Sequence, residues 1–276
     1  MSAVLGRIAG AVVLLAAMVA VYVVAVRTAA GQRLDERWLL TLRGTEAHND
    51  LPNAVGLGSV TDPRLWVVAI LAIVALGLAA RRRLSIIVLL ILPVAVIVCA
   101  RLLRDGLLTR PDLIASQFPH INTFPSGHAA AAAGCVAAII RAAPRVVQPL
   151  IVLAGTMWLT LVSQDLMVWG WHRPSDLIGS ILLAGALAIL VPNSPSRTLG
   201  TWWQAAILVV ASVIAPVGWA AYIAKPVVAL VGVVAAVVLT MLFVGRETAR
   251  GPGESGTGGR WRIPGFDRSD MPAPTA

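Results

Sequence analysis

Long apolar runs alternate with short polar segments along this chain, and the lengths of the runs set the expected architecture. The first run extends from Ile8 to Val26. It is too long for the core of a signal peptide, and no Ala-x-Ala cleavage site follows it directly, so it reads as a retained membrane span. A polar stretch from Arg27 to about Asn53 follows, in which Leu34, Trp38, Leu39 and Leu42 recur at helical spacing. That pattern predicts a short amphipathic helix lying at the membrane interface. Further spans are expected from about Leu65 to Ala80, started by Pro63, and from Leu84 to about Leu103, with Pro93 inside it. An alanine-rich fourth span ends near Ile140, a fifth runs from about Val147 to Val162, and a sixth from about Asp176 to Val191. Two more runs, Ala205 to Ile223 and Val227 to Val244, bring the expected number to about eight. The second, fourth, fifth and sixth are short for lipid-facing spans, so they extend into neighbouring polar residues or pack inside the bundle.

Composition agrees with this reading. The chain has 276 residues, 58% hydrophobic and only 13% charged, too little polar surface to coat a soluble domain of that size. The expected fold is therefore an all-α, polytopic transmembrane helical bundle. Cys99 and Cys135 lie inside apolar runs and form neither a disulfide framework nor a zinc spacing. A net charge of +9 comes mostly from arginines that border the apolar segments. This reads as topological charge with affinity for anionic headgroups, with no nucleic-acid partner. With the N-terminus inside, Arg81 to Arg83, Arg141 to Arg145, the turn at Arg197 and the start of the tail fall on the cytoplasmic side. Both termini are then cytoplasmic. The tail from Arg246 to Ala276, rich in Gly, Pro and Ser, reads as disordered.

Three polar segments remain on the outer side and carry the candidate chemistry. The first runs from Arg104 to Arg110-Pro111; the second is Pro125-Ser126-Gly127-His128, at the mouth of the fourth span. The third is His172-Arg173-Pro174-Ser175-Asp176, at the mouth of the sixth. The first two share a loop and two spans separate the second from the third, so all three emerge on one membrane face. Ser126 and Gly127 open a helix whose first N–H groups and dipole favour an anion. Arg104 and Arg110 offer forked donors for phosphate oxygens. Two histidines on one face can divide phosphoryl transfer between a nucleophile and a general acid. Asp176, four residues after His172, is placed to orient that imidazole.

At these residues the chain resembles the type 2 phosphatidic acid phosphatase superfamily, whose pattern is Lys-x6-Arg-Pro, Pro-Ser-Gly-His and Ser-Arg-x5-His-x3-Asp. The resemblance implies that His172 is the nucleophile forming a phosphohistidine, Asp176 its orienter and His128 the general acid. Arg104, Arg110, Ser126 and Gly127 would hold the phosphate. It implies hydrolysis of a lipid-linked phosphate monoester or pyrophosphate at the extracytoplasmic face of a cell membrane, with no metal and no cofactor. It covers residues 1–195, a six-span phosphatase-like domain; residues 196–245 would add two transmembrane helices, and 246–276 the tail. Two departures stand out. Arg104 replaces the pattern's lysine and sits one residue closer to Arg110-Pro111, and Leu166 occupies the place of the arginine upstream of His172. Losing such a cation costs roughly 2–4 kcal/mol of transition-state stabilisation, by analogy with losing one oxyanion donor. Ser163-Gln164 resembles a displaced relic of the missing pair, Asp165 adds a negative charge, and Arg173 lies nearby. The alternative reading is therefore a catalytically impaired relative acting as a lipid-phosphate-binding or scaffold protein. His48 and His120 read as solvated or interfacial, and Trp169, Trp171, Trp202 and Trp203 as an aromatic belt.

Overall fold

In a computed structural model, the description covers residues 2–45, 59, 62–81, 83–116, 121–192 and 202–244. His48, His120, the turn at Arg197 and the tail from Arg246 lie outside these residues, as do the side chains of Trp202 and Trp203. Among the described residues the secondary structure is entirely helical. The elements are α1 (Ser2–Val21, continued by a π-turn Tyr22–Val26), α2 (Ala29–Leu40), α3 (Arg64–Ala79) and α4 (Arg83–Leu102, continued by a π-turn Leu103–Leu107). They continue as α5 (Gly127–Ala142), α6 (Gln148–Val168), α7 (Pro174–Leu190), α8 (Trp202–Tyr222) and α9 (Pro226–Val244). Four of them, α1, α4, α6 and α9, are long and apolar enough to cross a membrane; α3, α5, α7 and α8 are shorter apolar helices. The protein is thus a helical membrane protein.

The short helices are explained by where they pack. Nearly every residue of α7 is buried, and it is enclosed by α1, α4, α5 and α9. A helix that meets protein on all sides need not match the thickness of the hydrocarbon. α1 and α4 are outer helices, with only 17% and 33% of their apolar windows buried against 72% for α6 and 61% for α9. Val12, Val13, Ile87 and Ile91 are among the apolar side chains that they leave exposed, as lipid contact requires. α5 is built of small residues. An added Cβ on Gly134 would lie 2.9 Å from the Pro93 Cα, so only glycine lets α4 and α5 approach this closely. α9 packs on α6 and α7 as well as on α8, so the two C-terminal helices are part of the same bundle.

Two boundaries differ from the sequence reading. The fifth span was expected to end at Val162, with Ser163 to Ser175 as an outer loop; α6 instead runs on to Val168. Ser163, Gln164 and Asp165 are buried in it, and the Gln164 Oε1 accepts a 2.5 Å hydrogen bond from the Trp219 indole. Partners from α8 thus satisfy polar atoms that read as loop in isolation. The second difference concerns α2. Leu39 and Leu42 of the expected apolar stripe are buried, but Leu34 is exposed, and Gln32, Asp35 and Glu36 turn inward beside Leu39.

Candidate active site

The mouths of α5 and α7 are joined before any side-chain chemistry is considered. Ser126 caps α5, its Oγ accepting from the Ala129 N–H at 3.2 Å, a contact worth about 1 kcal/mol at an ordinary N-cap. The Ser126 N–H donates to the Asp176 carbonyl at 3.2 Å, and the Ser180 hydroxyl lies 2.8 Å from both the Ser126 and Asp176 carbonyls. α7 begins at Pro174, and the Arg173 N–H ahead of it donates to Asp176 Oδ2 at 2.9 Å. Beyond the end of α6 the chain turns at Gly170, whose φ of +70° a residue with a side chain rarely adopts. That turn sends Trp171 and His172 back over the end of α6, where both N–H groups point at the Leu166 carbonyl.

His128 and His172 face each other across this junction, ring centroids 6.0 Å apart and nearly edge to face. Their environments differ. His172 is buried, with Nδ1 3.5 Å from the Asp176 carboxylate, while His128 is exposed and lies 5.6 Å from the Trp171 ring. The Asp176 contact is longer than a good hydrogen bond; such contacts tighten when substrate organises a site. With Nδ1 turned towards Asp176, Nε2 is the nitrogen of His172 left for chemistry. Trp171 in turn stacks on Trp169 at 5.9 Å. Trp171, read from sequence as belt alone, is therefore also a neighbour of the exposed histidine.

The cations arrive from three directions. The Arg104 guanidinium reaches the N-terminus of α5, where a Cβ on Gly127 would lie 3.9 Å from its Nη1, and it forks onto Asp105 at 2.7 and 3.2 Å. The Arg110 side chain is buried, and its Nη1 has no hydrogen-bond partner among the described residues. Burial, then the positive charge of Arg173, holds the Arg110 guanidinium below its ordinary value. Arg173 has turned inward and is only 5% exposed, with Nη1 3.3 Å from the Thr123 hydroxyl. Leu166, at the position where the pattern expects a cation, is buried among the apolar core side chains. Two neighbouring buried guanidiniums are costly unless anions offset them. Asp35, Glu36 and Asp176 do so in part, and a phosphate would complete the offset.

Asp35 is the residue of this site that the sequence reading missed. It lies 140 residues from Ser175, yet its carboxylate accepts both the Ser175 N–H (3.0 Å) and the Ser175 hydroxyl (2.6 Å). Burial first, and the charge of Asp176 second, push its carboxyl up to about 7 despite these bonds and the nearby Arg110. Burial prevails because Arg110 stands 4.0 Å away without a hydrogen bond. The folded state therefore binds this proton more tightly than the unfolded chain. Asp35's contribution to stability is full in acid and is lost as pH rises through about 7. The melting temperature of the detergent-purified protein is expected to fall more between pH 5 and pH 8 than that of Asp35→Asn, which cannot ionise. Parallel melting curves for the two proteins would contradict this.

Fold and side-chain placement together define a helical membrane protein in which two histidines face each other beside Arg104, Arg110 and Arg173. Residues 106–200 match the model of the PAP2 superfamily, a match consistent with a type 2 phosphatidic acid phosphatase superfamily member. The match includes Arg110, His128, His172 and Asp176, and begins two residues after Arg104. The PAP2 superfamily implies phosphatase-type activity on phosphate esters. No curated protein and no solved structure matches the chain significantly.

Proposed function

We propose that the protein hydrolyses a lipid-linked phosphate monoester or pyrophosphate through a phosphohistidine on His172, at the extracytoplasmic face of a cell membrane and without a metal. Nε2 of His172 attacks phosphorus while Asp176 faces Nδ1 and stabilises the charge that develops on the ring. The P–O bond to the leaving group breaks, releasing the lipid alcohol from a monoester or the lipid phosphate from a pyrophosphate, and His128 gives its proton to the departing oxygen. Water then attacks the phosphohistidine with His128 taking its proton, and phosphate leaves. Arg104, Arg110, Arg173 and the first N–H groups of α5 stabilise the charge on the transferring group.

The observation that carries the lipid part is a groove of about 590 Å³ that descends from His128 between α3, α5 and α6. Trp66, Ala132, Cys135, Val136, Ile151 and Trp158 line it. A tail lying in this groove would present its headgroup phosphate at the histidines while remaining in an apolar environment. Narrowing the groove with Ala132→Phe is expected to displace two or three methylenes. At about 0.8 kcal/mol each this costs about 2 kcal/mol, or roughly thirtyfold in kcat/KM. The readout is the ratio of rates on a long-chain lipid phosphate and on a short, water-soluble phosphate ester. An unchanged ratio would remove the groove from substrate binding.

The reaction itself is tested by phosphate release from a panel of lipid phosphates, comparing the natural protein with His172→Ala. Equal background rates on every lipid would favour the lipid-phosphate-binding or scaffold reading motivated by Leu166. Loss of activity with chelator and recovery with magnesium would contradict the metal-independent route.

A further inference from the structure

We infer that α2 is the tie that sets the Arg110 loop and the His172–Asp176 segment in register, with Asp35 as its positioning residue. This rests on the phosphatase reading of the site. Gln32 and Asp35 are one helical turn apart on the inward face of α2, 2% and 4% exposed. Each ties a different half of the site. The Gln32 amide donates to the Pro111 carbonyl at 2.7 Å and to the Val26 carbonyl at 2.8 Å. Asp35 receives both Ser175 donors and stands 4.0 Å from Arg110 Nη1.

The remaining neighbour of Arg110 is held from the same side. Tyr22 Oη donates to the Thr109 carbonyl at 2.7 Å and accepts the Thr109 N–H at 3.1 Å, and Arg27 Nη1 donates to the Thr109 hydroxyl at 2.7 Å. Thr109, Arg110 and Pro111 are thus each engaged by the end of α1 or by α2. On the other half, the Ser175 N–H belongs to the first turn of α7 and has no partner within its own helix. Asp35 supplies that partner from outside, at the residue next to Asp176 in the chain.

Asp35 is therefore placed to act through other groups: one carboxylate fixes the start of the histidine-bearing segment and faces the phosphate-binding arginine. A misplacement of about 1 Å between such groups is enough to lower a rate about a hundredfold.

The test is a set of variants of the full chain in mixed micelles: Asp35→Ala, Asp35→Asn, Ser175→Ala and Gln32→Ala. With phosphatidic acid as substrate, kcat of Asp35→Ala is expected to fall about a hundredfold, with KM changed far less. Asp35→Asn, which keeps one acceptor for Ser175, should recover part of that loss while melting at least as high as the natural protein at pH 8. A purely structural role predicts the opposite pairing, with activity tracking melting temperature. Stabilisation by inorganic phosphate, read as a thermal shift, needs no turnover and should shrink in Asp35→Ala and Gln32→Ala. If Asp35→Ala does not fold, Asp35→Asn and Ser175→Ala carry the same comparison. Unchanged kcat and an unchanged phosphate shift in the folded variants would overturn the inference. A natural protein without turnover, but with a phosphate shift that Asp35→Ala loses, would sink the hydrolase reading and leave the positioning role standing. A natural protein with neither turnover nor shift would overturn both.

Discussion

His172→Ala is expected to abolish phosphate release from lipid phosphates, lowering kcat by more than about ten-thousandfold, as removal of a nucleophile does in other covalent mechanisms. The reason is local. His172 is buried, Nδ1 is turned towards Asp176, and the start of α7 that carries both is stitched to the start of α5 through Ser126 and Ser180. No other imidazole among the described residues shares that environment, because His128 is exposed and has Trp171 beside it. The variant removes a side chain at a helix mouth and leaves the capping bonds of Arg173 and Asp176 in place, so it should fold. Size-exclusion behaviour and the thermal shift with inorganic phosphate report on that directly. A labelled lipid phosphate should leave acid-labile, base-stable label on the natural protein and none on the variant. Label that persists on His172→Ala would move the nucleophile elsewhere.

The second large effect is expected at His128, and it should depend on the leaving group. General acid catalysis is worth about 10²–10⁴-fold. His128→Ala should therefore slow hydrolysis of an alkyl lipid phosphate by about a thousandfold. An ester whose leaving group is stable as an anion, such as a nitrophenyl phosphate, should lose far less in its first step. The division of roles follows from exposure. The exposed ring can reach solvent, as the residue that protonates the alcohol and then activates water must, while the buried ring is paired with a carboxylate that supports charge on it. An equal loss on both substrates would mean that His128 does not deliver the proton.

Much of the candidate site was legible because its residues are written as compact segments. Pro125 to His128 and His172 to Asp176 each combine a helix start with a histidine, and an even number of spans between them requires a common face. The structure places His128 and His172 6.0 Å apart and sets Arg104 over Gly127. That the chain folds as apolar helices was legible for a simpler reason: a helix satisfies the backbone of a long apolar run within the run itself.

Other features were hidden for physical reasons. Asp35 and Gln32 belong to a helix whose charged residues read as its solvated side, and their partners lie 140 and 79 residues away. Ser163, Gln164 and Asp165 looked like loop because they are polar, yet α6 continues through them where α8 supplies a partner. The direction of Arg173 could not be read from its position next to His172. A side chain at a helix cap can face solvent or the site, and here it lies buried beside Arg110.

By itself the sequence determined that this chain enters a membrane as helices, and it named the histidines and the aspartate that meet at one end. Apolar length and local motif are properties of neighbouring residues, and they survive without knowledge of the rest of the chain. Only the tertiary structure decided which helices leave apolar faces exposed, that a groove leads from His128 into the bundle, and that α2 brings Asp35 to Ser175 and Gln32 to Pro111. Those facts depend on burial. Burial decides whether a polar side chain is solvated surface or a positioned partner, and it is set by helices far apart in the chain.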